Sequence, residues 1–171
     1  MCHRPDKKIN SKTDKPAFSD EQHQWMNEAL VEARLAAAAG DVPVGAIVVM
    51  GGKIIGRGRN LREAEHDPSA HAEIAALRQA GQAIKGWRLA DAEMYVTLEP
   101  CPMCASALVL AKVKSLVYGL DDPKLGACGS LINLVQFPGF DHDVSVRGGL
   151  LAAESAKLLQ DFFALRRSAT Y

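Results

Sequence analysis

Two short stretches, each opening a predicted helix, flank a single apolar strand, and any fold for this chain has to place them relative to each other. The first is Asp67-Pro68-Ser69-Ala70-His71-Ala72-Glu73. The second is Thr97-Leu98-Glu99-Pro100-Cys101-Pro102-Met103-Cys104, which ends the strand Met94-Tyr95-Val96-Thr97-Leu98. Strand and helix alternate here, so the strands are expected to be joined by parallel crossovers. Such crossovers put the N-termini of both helices at one edge of a sheet. Residues distant in sequence, His71 and the cysteine pair, then become neighbours.

The rest of the chain completes an α/β pattern. Ser19 is a helix N-cap, with Gln22 at the return position of a capping box. Trp25, Met26, Ala29, Leu30, Ala33, Ala36 and Ala37 form the apolar stripe of that helix, and Gly40 ends it. Val44 to Met50 is continuously apolar and reads as a strand buried on both faces. Gly51-Gly52 supplies a tight hairpin turn, and Lys53 to Arg59 returns as a more exposed strand. Asn60 to Ala70 is a polar loop. A helix is predicted from His71 to about Ala80, with Gly81 as its stop. After the strand Met94–Leu98 comes a helix from Cys101 to Lys112, with Pro102 tolerated in its first turn. Ser115 to Gly119 and Val144 to Val146 are the fourth and fifth strands, and a last helix covers about Ala152 to Arg167. This order predicts three layers, α-β-α, around a central mixed sheet of five strands.

The chain has 171 residues, 48% of them apolar and 23% charged, with a formal net charge of zero. One domain over 18–171 is expected, able to bury a core without disulfides. Residues 1–17 are polar and lysine-rich, and read as a disordered tail. Zero net charge disfavours a strongly basic nucleic-acid binder but leaves room for a local basic patch. The four cysteines, Cys2, Cys101, Cys104 and Cys128, are too sparse for a disulfide scaffold. No apolar run reaches membrane-spanning length and the N-terminus lacks a signal-peptide core, so the expected compartment is the reducing cytoplasm.

Cys101 and Cys104 lie at i and i+3, on one side of a helix, where both sulfurs reach one ion. They also sit in a first turn, where free N–H groups and the positive end of the helix dipole favour thiolates. With His71 they make three ligands for a zinc ion, leaving a fourth position for water. Water at a centre already carrying two thiolates needs help to lose its proton, and Glu73 can act as the general base. Each half alone has a plainer meaning. A Cys-x-x-Cys pair can be a redox pair or half of a structural zinc site, with Cys128 or His66 as a fourth ligand. Glu73 by itself is an ordinary solvated glutamate. A closed structural site, however, has no use for a proton carrier, and the conjunction favours catalysis.

His71-Ala72-Glu73 with Pro100-Cys101-Pro102-Met103-Cys104 resembles the His-x-Glu and Pro-Cys-x-x-Cys signature of the zinc-dependent cytidine/deoxycytidylate deaminase superfamily. The match extends through Val42 to Ala46, His66-Asp67-Pro68, His71 to Arg78, Tyr95 to Cys101, Lys124 to Cys128, and Asp161-Phe162-Phe163 to Arg166-Arg167. In these stretches the chain is similar to the bacterial tRNA-specific adenosine deaminases. The resemblance covers roughly Phe18 to Arg167.

That resemblance implies a cytidine deaminase-like fold and one zinc per chain on His71, Cys101 and Cys104, with Glu73 as the proton shuttle. It implies hydrolytic deamination of adenosine to inosine at the wobble position of a tRNA anticodon, by zinc-activated water. Anticodon bases are already unpaired, so extruding one is cheap. A homodimer binding a tRNA anticodon stem-loop across both subunits is implied as well. Asn60 matches a substrate-contacting asparagine and Asp122 an aspartate that accepts from a ribose hydroxyl. Each has a plainer reading as a turn residue. Arg57, Arg59 and Arg62 around Asn60, and Arg166 and Arg167 at the end of the last helix, are the candidate RNA contacts. The rival substrate is a free nucleobase such as cytosine or guanine. A zinc-stabilised RNA-binding module without catalysis is the rival of another class, and Glu73 argues against it.

Overall fold

A computed structural model describes residues 17–168, so all but the last residue of the expected tail lies outside the described residues. The elements are α1 (Asp20–Ala38), β1 (Gly45–Met50), β2 (Lys53–Arg59), α2 (Arg62–Glu65), α3 (Ala72–Ile84), β3 (Glu93–Leu98), α4 (Pro102–Leu110), β4 (Ser115–Leu120), β5 (Ser145–Gly148) and α5 (Ala152–Ser168). The strands form one sheet in the order β2-β1-β3-β4-β5. β1 pairs antiparallel with β2 and β3, whereas β3–β4 and β4–β5 are parallel. The predicted mixed five-stranded sheet between helical layers is the observed one.

The strand period of two sorts the core into two clusters. Ala46, Val48, Met94, Val96, Leu116 and Tyr118 point to one face, where Ala72, Ala76 and Ala80 of α3 and Ala105 and Leu108 of α4 cover them. Ile47, Val49, Tyr95 and Val117 point to the other, against Met26 and Ala29 of α1. α5 lies on that second face, in contact with β4 and α1. The α1 capping box forms as read: Ser19 Oγ accepts from the Gln22 N–H, and Gln22 Oε1 accepts from the Ser19 N–H. Gly51 and Gly52 take φ of 58° and 70°, as the hairpin turn requires.

The close approach of α3 to β2 positions everything that follows. A Cβ built on Gly58 would sit inside the Ala72 carbonyl, and one on Gly56 inside that of Ala76. Two glycines on the strand and three alanines on the helix let the backbones touch. The first turn of α3 is thereby held at the end of β2.

Two local readings need correction. α3 does not stop at Gly81 but runs to Ile84, ending where Lys85 adopts φ 54° and the Gly86 N–H reaches the Gly81 carbonyl. An interior glycine costs a helix only about 1 kcal/mol relative to alanine, and Ile84 packing against the core outweighs that. The supposed loop after Asn60 contains the four-residue helix α2. Its N-cap residue, Leu61, has no capping side chain. The cap comes instead from Asp41, whose two carboxylate oxygens accept the Glu63 and Ala64 N–H groups at 3.0 and 3.2 Å.

Candidate metal and catalytic site

β2 and β3 run in the same direction, since each is antiparallel to β1 between them. The chain leaves both at the same sheet edge and enters α3 and α4 there. His71 is the N-cap residue of α3 and Cys101 that of α4. Both have extended backbone, and neither side chain caps its own helix, so both are free to point at a shared centre. Cys104 follows in the first turn of α4.

His71 Nδ1 lies 3.7 Å from Cys101 Sγ and 3.6 Å from Cys104 Sγ. The three donor atoms lie within 4.8 Å of one another. A tetrahedral ion with ordinary zinc–sulfur and zinc–nitrogen bonds separates nitrogen from sulfur by about 3.6 Å. The donor set and its spacing therefore fit a metal of that kind. Neither Cys128 nor His66 joins this group. Cys128 is buried, and His66 is an exposed helix-end residue with φ 52°.

Hydrogen bonding from the Cys104 thiol and from His71 holds Cys101 down to about 4, as a thiolate. Cys104 is pushed strongly upward, by its hydrogen bond to Cys101 and by burial. The hydrogen bond to Cys101 also raises His71. Glu73 is 4% exposed, and burial lifts its carboxyl to about 7. A carboxyl with that value both accepts and returns a proton near neutral pH. The solvated-glutamate reading of Glu73 does not hold.

Asn60 directly follows β2, with its backbone N–H on the Val44 carbonyl, while the Leu61 N–H binds the Ala70 carbonyl next to His71. Its side chain is buried and makes no hydrogen bond among the described residues. Asp122 Oδ1 accepts the Lys124 and Leu125 N–H groups, the turn role of the plainer reading. Two of the arginines around Asn60 are paired with acids. Arg57 pairs with Glu28 at 2.8 Å and Arg59 with the buried Glu32 at 3.3 Å, both on α1. Arg62 is exposed and makes no ion pair among the described residues. Arg166 donates to the Gly40 carbonyl at 2.8 Å and lies over the Phe162 ring, and Arg167 is exposed.

Sequence reasoning passed over two buried carboxylates that hold backbone N–H groups: Asp41, which caps α2, and Glu99, which accepts from three backbone N–H groups of the 122–130 segment. The one available signal was their type, since each is an acid in an apolar setting at the end of an element.

Residues 20–167 match the model of the MafB19-like deaminases. The tRNA-specific adenosine deaminase of Bacillus subtilis is 48% identical over 139 residues, covering 81% of this chain and 86% of that protein. The chain belongs to the tRNA-specific adenosine deaminase family. Among solved structures, one from a study of A-to-I editing by tRNA:A34 deaminases at the wobble position of transfer RNA superposes on this deaminase with a TM-score of 0.77. It is 44% identical and spans 80% of this chain and 99% of its own. The guanine deaminase of Nitrosomonas europaea shares the fold at a TM-score of 0.73, but is 27% identical over 83% of this chain and 84% of its own.

Proposed function

We infer that the chain converts adenosine to inosine at the wobble position of a tRNA anticodon, by hydrolysis that releases ammonia. The observation that carries this is the meeting of a His71–Cys101–Cys104 donor triangle with the buried carboxyl of Glu73, in a chain 48% identical to a tRNA-specific adenosine deaminase.

We propose zinc as the ion on His71, Cys101 and Cys104. Bound there, it would supply Lewis-acid activation of water at neutral pH. The remaining work falls to the chain. Glu73 takes a proton from the water and delivers it to the adenine ring as the hydroxyl adds at C6; it then takes the proton of that hydroxyl and passes it to the amine as the C–N bond breaks and ammonia leaves. Its burial keeps the carboxyl near the pKa at which both transfers are efficient. The Asn60 amide, which both donates and accepts, meets the polar edge of the extruded nucleoside. Arg62, and Arg167 with Arg166, contact phosphates. Arg166 holds Gly40, whose neighbour Asp41 caps α2, so the basic end of α5 and Arg62 are connected parts of one rim.

Residues 18–171 act as a single deaminase domain in this reading. A second copy of the chain covers the apolar groove between α3 and α4, where Leu77, Trp87, Leu89 and Leu110 lie, giving a homodimer. Exposure of Trp87 at 66% and Leu110 at 72% supports such a cover. No helix among the described residues is long and apolar enough to cross a membrane. A tRNA substrate and ligands that must stay reduced suit the cytoplasm.

The test is incubation of the metal-loaded protein with an anticodon stem-loop bearing a wobble adenosine and, separately, with free adenine, cytosine and guanine. Inosine in the RNA with matching ammonia is expected. Rapid deamination of a free base with no reaction on the stem-loop would move the chain to the nucleobase reading.

A further inference from the structure

Three backbone N–H groups converge on one buried carboxylate, two residues before Cys101. Glu99 is 2% exposed. Its Oε1 accepts from the Cys128 and Ser130 N–H groups, each at 3.0 Å, and its Oε2 accepts from the Asp122 N–H at 3.0 Å. No lysine or arginine forms an ion pair with Glu99 among the described residues. Oriented backbone dipoles alone compensate its charge, as in anion-binding loops.

The bonds run from one rigid element to one irregular segment. Glu99 follows the last residue of β3, whose backbone is locked between β1 and β4. Residues 121–132 contain no helix or long strand, only a single bridge between Cys128 and Asn133. Pro123, Lys124, Leu125, Gly129, Ser130 and Leu131 in this segment are exposed. The segment nonetheless lies flush on the start of α4, because the Ala127 N–H donates to the Pro100 carbonyl at 2.9 Å. A Cβ built on Gly126 would overlap both Glu99 Oε2 and the Asp122 carbonyl, so no side chain fits between segment and carboxylate. The Ala127 bond ties the segment to Pro100, the residue before Cys101, and Glu99 ties both ends of it.

We propose that Glu99 is a positioning residue for the reaction: it holds residues 122–130 as a preformed wall of the substrate pocket. The substrate half of this statement rests on the deaminase reading given above. A loop of this composition, left untied, has to be ordered each time an RNA binds, and that ordering weakens binding. Tied to Glu99, it is ordered in advance. The Glu99 carboxylate is taken up by these three amides, and it acts through the backbone it holds.

Glu99→Gln tests this with the least change of shape. The glutamine oxygen can still accept from Cys128 and Ser130, but its amide faces the Asp122 N–H, donor against donor. Gly126→Ala disturbs the same contact from the other side and leaves Glu99 in place. For both variants, metal content should stay at the wild-type level, and amide hydrogen exchange at 122–130 should accelerate. The KM for an anticodon stem-loop should rise about tenfold, the loss expected for one charge-assisted hydrogen bond, with kcat much less affected. A residue that only stabilised the fold would lower the active fraction, and so kcat, at unchanged KM. Unchanged KM with reduced kcat, unchanged exchange at 122–130, or loss of metal overturns the proposal. If Glu99→Gln does not fold, Gly126→Ala decides. The exchange measurement needs no substrate. Wild-type protein inactive on RNA would therefore sink the substrate reading alone, while an active wild type with unmoved variants sinks the role of Glu99.

Discussion

Cys104 Sγ lies 3.6 Å from His71 Nδ1, although the two residues are thirty-three positions apart and a β-strand runs between them. The contact is a product of topology. β2 and β3 point the same way, so α3 and α4 both begin at one sheet edge, and their caps and first turns bring the three donor side chains together. Two residues further along α3, the buried carboxyl of Glu73 joins them.

Replacing Cys104 with alanine leaves His71 and Cys101 as a two-ligand site, which holds zinc far less tightly. Metal analysis of the purified proteins should give about one zinc per wild-type chain and a small fraction of that in Cys104→Ala. Undiminished zinc in the variant would mean that the ion sits elsewhere.

Glu73→Ala should separate binding from turnover. The side chain is buried but is not one of the three clustered donors. The variant should keep its zinc and its circular dichroism spectrum while kcat falls by about 10²–10⁴-fold, the usual worth of a general acid–base group. Activity within a few fold of wild type would remove Glu73 from the proton path.

Cys128→Ser probes the closed-site alternative. Cys128 is 4% exposed and packs in the apolar cluster beneath α3 and α4, outside the donor group. Full zinc content is expected in the variant, with a lowered Tm from burying a hydroxyl in place of a thiol. Zinc loss would show that Cys128 is a fourth ligand and the site structural.

What was legible in the sequence was what short-range patterns specify. The apolar stripe of α1, the Ser19–Gln22 cap, the Gly51-Gly52 turn and the i, i+3 cysteines all stand in the structure where their local chemistry puts them. The misses share one cause, a partner far away in the chain. α2 is capped by Asp41, twenty-two residues before Glu63. Glu99 is satisfied by amides from 122 to 130. Arg57 and Arg59 look like free cations in sequence, yet Glu28 and Glu32 neutralise them across the α1–β2 contact. Gly81 looks like a stop because the packing that carries α3 past it is tertiary.

Gly58→Val should damage the site from a distance. The new side chain would have to displace the Ala72 carbonyl and with it the first turn of α3. Overpacking of this kind costs about 1–3 kcal/mol or more, and here the moving backbone carries His71. Chemical denaturation should show the loss of stability, and zinc affinity should fall with it. A variant with wild-type zinc affinity and stability would show that α3 can shift without disturbing His71.

The two arginines at the end of α5 should behave differently when replaced singly. Arg166 is already engaged, with its guanidinium on the Gly40 carbonyl and over Phe162, so Arg166→Ala should lower stability as well as RNA affinity. Arg167 is exposed, and its replacement should act on RNA alone. Each phosphate contact releases counterions, and losing one flattens the dependence of log K on log salt by somewhat under one unit. Zinc content should be untouched in both variants. Binding of an anticodon stem-loop, titrated at several salt concentrations, separates the cases. A flatter slope with unchanged Tm is expected for Arg167→Ala, and a lower Tm for Arg166→Ala. An unchanged slope in both would take the end of α5 out of the RNA path and leave Arg62 as the remaining named basic residue of the rim.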